Sequence, residues 1–293
     1  MSNHYKVAIL SSVSFNFELV KRQLSNYQLS HGNDAIHFLH VASDGDLNAS
    51  ELSGLDDISV NAESSAYKTS NLCNFGGQLA NSQRLFSANS GVKADYVYIH
   101  TDADLIVKGN VSSFVQQKKC GFLKQKPSNA WPHFNKMMSD PCFQAIRKHM
   151  AIPDSDVIMG RQEGSFFPIE LWQEMSQIFL QFYSTDFFEK RNLLWPIEEG
   201  IVPTVAQKLI DSHFPQYAPQ SKNIVITKPL KPSGDGRNPR DVAENCVQIE
   251  DIDKEITKYK QFDCIAMKWF ARNIDDKAAS YANQLLAQQL PSE

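Results

Sequence analysis

Residues 96–107, Tyr-Val-Tyr-Ile-His-Thr-Asp-Ala-Asp-Leu-Ile-Val, set an apolar, aromatic and β-branched run against two carboxylates one residue apart, Asp102 and Asp104. A short run of that composition suits a central strand covered on both faces. Such strands belong to parallel sheets joined by crossover helices, so this segment directs the chain toward an α/β fold. Asp102 and Asp104 then fall at the strand's carboxyl end, where open α/β sheets bind their ligands. Hard oxygen donors in that place suit Mg²⁺ or Mn²⁺ and leave coordination positions for a diphosphate. The same spacing also arises when one Asp caps the next element and the other lies on a solvated turn.

The alternation extends along the chain. Residues 7–13 read as a first strand, 18–29 as a helix and 37–42 as a second strand. Asp44-Gly45-Asp46 follows as a polar turn, so Ser11, Ser12, Asp44 and Asp46 are expected to face the same crevice as Asp102 and Asp104. Residues 71–89 carry Leu72, Phe75, Leu79, Leu85 and Phe86 at helical spacing, with Gly76 and Gly77 weakening the start. A short helix is expected over 111–117, a strand over 120–124, and helices over 170–182, 201–210 and 275–290.

Composition narrows the function. With 29 basic against 33 acidic residues the formal net charge is -4, so nothing draws the chain to nucleic acid. The five cysteines, Cys73, Cys120, Cys142, Cys246 and Cys264, form no Cys-X-X-Cys pair and no zinc-like cluster. They read as reduced core thiols of a cytoplasmic protein. Residues 1–6 are too short and polar for a signal peptide, and no run approaches the roughly 20 apolar residues of a membrane span. Peripheral contact with a membrane surface stays open.

Further constellations could carry chemistry. Trp195-Pro196-Ile197-Glu198-Glu199-Gly200 puts paired acids beside an aromatic at a helix entrance, which suits a general base tuned by its twin and by burial. Acids in a first turn also simply complement the helix dipole. Gly160-Arg161-Gln162-Glu163-Gly164 reads equally as backbone closing on a ligand or as a tight solvated turn. Trp131 and His133 lie on a breaker-rich loop that could face a sugar or pack beneath the surface. Residues 228–240 form a basic Pro/Gly-rich loop, read as a solvated surface loop or as a flap over phosphates. Lys268 and Arg272 share a face if residues 267–272 are helical, and two cations there suit a diphosphate. Otherwise they are basic residues snorkelling from an amphipathic helix.

The strand running into Asp102-Ala103-Asp104, followed downstream by the aromatic and acidic pair at Trp195 to Glu199, resembles the GT-A glycosyltransferases over roughly residues 6–272. The resemblance implies one GT-A, Rossmann-like catalytic domain over residues 1–293. Its mostly parallel central sheet would be flanked by helices, with a nucleotide-sugar half at 1–125 and an irregular acceptor-side half at 126–293. Asp102 and Asp104 would hold Mn²⁺ or Mg²⁺ and the donor diphosphate, with Ser11, Ser12 and Asp44 near the nucleoside. Glu199 would be the base of an inverting transfer from a nucleotide-sugar donor, UDP-sugar favoured, to a glycan or lipid-linked acceptor. Glu198 would orient a sugar. Many members add a late histidine ligand, whereas the last histidine here is His213. Either His213 takes that place, or water completes the metal, or Lys268 and Arg272 assume part of its role. A sugar-nucleotide nucleotidyltransferase is disfavoured because the first strand exits into Ser11-Ser12-Val13-Ser14-Phe15 with no glycine. A non-catalytic carbohydrate-binding module using Trp131, Trp195 and Trp269 is the other alternative.

Overall fold

The computed structural model describes residues 3–13, 16–42, 47–55, 57–64, 74–101, 104–127, 131, 133–184, 187–188, 196–219, 224–229 and 242–289. Asp44, Asp46, Cys73, Asp102 and Trp195 lie outside the described residues, as does most of the 228–240 loop.

Strand β1 (Asn3–Val13) carries Val7, Ala8, Ile9 and Leu10 with no exposed surface, so both of its faces are covered. Burying each large apolar side chain of this run contributes about 1.5–3 kcal/mol. β2 (Ala35–Val41) is buried throughout, and β3 (Val60–Ser64) pairs beside it in parallel. β1 pairs in parallel with β2 on one side and with β4 (Val92–Ile99) on the other. The apolar run over 96–107 divides between two strands. β4 stops at Ile99, and β5 (Asp104–Lys108) starts a separate sheet. β6 (Phe166–Pro168) closes the central sheet antiparallel to β4, giving the order β3-β2-β1-β4-β6. The second sheet places β8 (Ile265–Lys268) between β5 and β7 (Val225–Thr227).

In chain order the helices are α1 (Phe17–His31), α2 (Ala49–Ser53), α3 (Phe75–Leu85), α4 (Val111–Lys118) and α5 (Phe134–Met138). They continue with α6 (Pro141–His149), α7 (Ile169–Phe182), α8 (Glu198–Ser212), α9 (Ile249–Lys258) and α10 (Lys277–Gln289). One sheet face packs Ala8, Leu10, Val97 and Ile99 against Phe75 and Leu79 of α3, Trp172 and Met175 of α7, and Ile201 and Val205 of α8. The other packs Val7, Ile9 and Tyr98 against Tyr27 of α1 and Phe114 of α4. The result is an α/β fold whose mostly parallel central sheet is flanked by helices.

Side chains of α1 fix where the chain leaves β4. Asn26 accepts from Ile106 N at 2.8 Å and donates to Ile106 O at 3.0 Å, imitating a neighbouring strand along the free edge of β5. Gln23 Nε2 donates to Asp104 O at 3.0 Å. Two other expectations are corrected. Residues 120–124 form no strand, and only isolated bridges join Gly121 to Phe166 and Gln125 to Met159. Residues 267–272 are not helical, because Ile265, Ala266 and Met267 are buried and β8 is hydrogen-bonded on both edges. Pairing with distant segments overrides the local pattern. Of the cysteines, Cys120, Cys246 and Cys264 are buried and Cys142 half-buried.

Pro203 lies inside α8 and has no N–H to offer the carbonyl four residues back, that of Glu199. Gly160 N–H takes that carbonyl instead, at 2.7 Å. A Cβ at residue 160 would come within 2.1 Å of Leu123 O, so only glycine approaches this closely.

Candidate active site

The strand order reverses direction between β1 and β4, since β2 and β3 follow β1 to one side and β4 lies on the other. Such a switch point opens a crevice beyond the strands' carboxyl ends, where doubly wound sheets take ligands. Ser11 and Ser12 are at that end of β1. Their hydroxyl oxygens are buried without a hydrogen-bond partner among the described residues. Asn81 Nδ2 holds the Ser11 carbonyl at 2.8 Å.

Beside them lie the end of β4 and the start of β5 at Asp104. Asp104 is fully buried. Its Oδ1 accepts from Thr101 N at 2.8 Å and from Thr101 Oγ1 at 3.2 Å, and its Oδ2 accepts from the Tyr27 hydroxyl at 3.0 Å. Burial pushes its carboxyl up to about 7, against the pull of Lys268 and the Thr101 amide. Tyr27 stacks on His100 at 4.4 Å between centroids and meets His31 and His37 at 5.9 and 6.1 Å. Burial lowers His31 to about 3 and His100 to about 4, and drives His37 well below its usual range, so all three are neutral at pH 7.

Lys268 ends β8 directly opposite Asp104 in the sheet register. Its ammonium forms an ion pair with Glu163, the two side chains being 6% and 14% exposed, and lies 4.4 Å from the Trp269 ring centroid. Burial alone would raise Glu163, but Lys268 prevails and holds its carboxyl below the usual range. Trp269 has φ 85, uncommon for a bulky residue. Arg272 is exposed on the turn beyond β8, so the helical face expected to unite it with Lys268 does not exist.

Glu198 and Glu199 open α8. Glu198 Oε1 accepts from Asn74 N at 3.1 Å, and its carbonyl accepts from Gln162 Nε2 at 2.7 Å. Burial, then the charge of Glu163, pushes Glu199 up to about 7, while Arg161, Lys268 and a hydrogen bond from Trp131 pull the other way. His213 follows the far end of α8, roughly 20 Å along the axis from Glu199 at 1.5 Å per residue. There it contacts Glu174, so it cannot complete a site at the helix start.

The structure thus gathers Ser11 and Ser12 at the switch point and links Asp104, Lys268 and Glu199 through the charges around Glu163. Glu163, Tyr27, Thr101 and Gln162 are contributors that residue order did not single out as site residues. For Glu163 the flanking glycines were the available signal. Asp104, one of the two expected metal ligands, is buried with Thr101 donating to Oδ1 and Tyr27 to Oδ2, and its expected partner Asp102 lies outside the described residues. Among the described residues no group of three or more His, Cys, Asp or Glu is placed to hold a cation. None of the described helices is long and apolar enough to cross a membrane.

The fold is that of an open α/β protein, with a cluster of buried charged side chains near the end of β4. No protein-family model and no curated protein sequence matches the chain. Among solved structures it is similar to the galactosyltransferase LgtC in complex with donor and acceptor sugar analogues, at 9% identity and a TM-score of 0.43, over 98% of this chain and 97% of that one.

Proposed function

We propose that the chain is a GT-A-type glycosyltransferase that moves a sugar from a nucleoside diphosphate, UDP favoured, to a hydroxyl of a glycan or lipid-linked acceptor. The observation that carries this reading is the placement of Glu199 at the start of α8, tied by Gly160 to the segment whose Glu163 pairs with Lys268, where burial raises its carboxyl to about 7. A general base works best with a pKa near the working pH. Glu199 would take the acceptor hydroxyl's proton as that oxygen bonds the anomeric carbon from one face. The bond to the diphosphate oxygen breaks on the other, inverting the centre. The electron pair leaves with the diphosphate, whose growing charge faces Lys268. The unpartnered hydroxyls of Ser11 and Ser12 suit the polar edge of a nucleoside, a role the family resemblance extends to Asp44, and Glu198 would orient a sugar. Arg272, exposed on its turn, would reach only the outer phosphate. Asp102 and Asp104, together with the donor's own phosphates, would hold Mn²⁺ or Mg²⁺, which would stabilise charge on the leaving diphosphate.

Calorimetric titration with UDP, GDP and CDP, each with Mn²⁺ and with EDTA, tests the reading. One nucleotide binding in preference supports it. Retention of that binding in EDTA assigns the diphosphate to Lys268, loss in EDTA assigns it to a cation at Asp102, and no binding of any nucleotide overturns the proposal in favour of a carbohydrate-binding module. Glu199→Gln should suppress transfer while leaving nucleotide affinity intact.

A further inference from the structure

Glu163 lies on a segment braced from three sides. Gly164 N donates to Ile99 O at 2.8 Å, and Ser165 O accepts from Ile99 N at 2.9 Å, which fixes the segment to the end of β4. Gly164 O accepts from Ile224 N at 3.2 Å, next to β7, and Gly160 N reaches Glu199 O at 2.7 Å on α8. Gln162 is clamped between Gln78, whose Nε2 donates to its Oε1 at 2.6 Å, and the Glu198 carbonyl. The carboxylate of Glu163 is therefore delivered to Lys268 by a fixed scaffold.

An ion pair this enclosed is a poor device for stability, because desolvating both charges offsets most of their attraction. Its surroundings suggest another use. Lys268 and Arg161 attract Glu163, while Asp104 and Glu199 repel it and the Tyr98 hydroxyl lies in its field. Glu199 in turn faces Glu163, Arg161, Lys268 and the Trp131 indole, with Glu198 next to it in the chain. Lys268 is thus the shared counter-charge of neighbouring acids, and whatever takes it away changes the balance for all of them.

We propose that Glu163 is a positioning residue acting through Lys268: it holds the ammonium in the crevice while no anion is bound, yields it to an incoming phosphate group, and then leaves its own negative charge facing Glu199. The inference rests on reading Lys268 as the anion contact and Glu199 as the base. A neighbouring carboxylate that has given up its ammonium favours proton uptake. Glu199 therefore becomes the stronger base once the phosphate is seated, and an acceptor hydroxyl stays unactivated in the empty site.

The test uses inorganic pyrophosphate as the probe and calorimetry on the full chain, wild type, Glu163→Gln and Lys268→Met. With the competing carboxylate gone, Glu163→Gln should bind pyrophosphate roughly tenfold more tightly, the scale of one charge contact in a crevice. A residue that merely held the fold would weaken binding when changed, so equal or weaker binding overturns the proposal. Lys268→Met should abolish binding. If it binds as wild type does, the reading of Lys268 fails and the proposal with it, whereas failure of Glu163→Gln alone leaves that reading standing. Should Glu163→Gln not fold, carboxyl ¹³C spectra of the wild-type chain decide, with Glu199 assigned from Glu199→Gln. Pyrophosphate should raise the Glu199 titration midpoint by roughly one pH unit, and an unmoved midpoint overturns the proposal.

Discussion

Replacing Glu199 by glutamine should make the protein more stable in mild alkali and leave its stability nearly unchanged in acid. Burial and the charge of Glu163 raise this carboxyl from 4.5 to about 7. A group whose folded pKa lies above its unfolded value binds its proton more tightly when folded. Its contribution is fully present below 4.5 and is lost as the pH climbs through about 7. At 1.36 kcal/mol per pH unit the whole interval corresponds to about 3 kcal/mol, and the partial exposure of Glu199 reduces this to about 2 kcal/mol. Glutamine keeps the shape and can still accept a hydrogen bond from Trp131, but never ionises. Urea unfolding of both proteins at about pH 4 and about pH 8 measures the difference. It should be close to zero in acid and favour the glutamine variant by about 2 kcal/mol in alkali. A variant less stable at both pH values by the same amount would refute the reasoning. The carboxylate would then be a welcome partner of the α8 dipole and not a base held ready at a cost to the fold.

Tyr27→Phe removes the donor at 3.0 Å from Asp104 Oδ2 inside the core and should destabilise the protein by about 1–3 kcal/mol in thermal unfolding. Gly164→Ala forces φ 79 on a residue with a Cβ that would lie 2.8 Å from Val225 N, so stability should fall by more than about 1 kcal/mol and nucleotide affinity, by calorimetry, with it. The neutral histidines act in the opposite sense to Glu199. With folded values of about 3 for His31 and about 4 for His100 against 6.5 unfolded, their contribution is present above 6.5 and is lost as the pH falls toward those values. His100→Asn should therefore lose about 2 kcal/mol less than wild type between about pH 7 and about pH 5 in urea unfolding.

The framework was legible where local pattern and final environment agree. β1 and β2 are short apolar runs covered on both faces, and α1 and α7 carry the periodicity of helices pressed on a sheet, so each is found within a few residues of its expected place. The site was legible in part. Glu198 and Glu199 do open a helix, but the about-neutral value of Glu199 depends first on burial and then on Glu163, which another segment supplies. Lys268 could be recognised as a cation, yet its strand is defined by β5 and β7, which no window around Met267 and Phe270 contains. For Asp104, residue order gives a carboxylate after an apolar run but not the direction in which it turns. Tyr27 decides that from the middle of α1.

A proline within a helix leaves one carbonyl without its usual donor, and in α8 that carbonyl belongs to Glu199 and is taken by Gly160. Glu199 is consequently tied to the segment that carries Glu163 by a main-chain hydrogen bond, beside the Gln162 side chain that holds the Glu198 carbonyl. Exchanging the side chain of Arg161 or Glu163 leaves that main-chain bond in place. Restoring the helical bond with Pro203→Ala, by contrast, would set an amide of α8 in competition with Gly160 for the same oxygen. The geometry of this region therefore depends on a proline and a glycine that carry no functional group as well as on the charged side chains beside them.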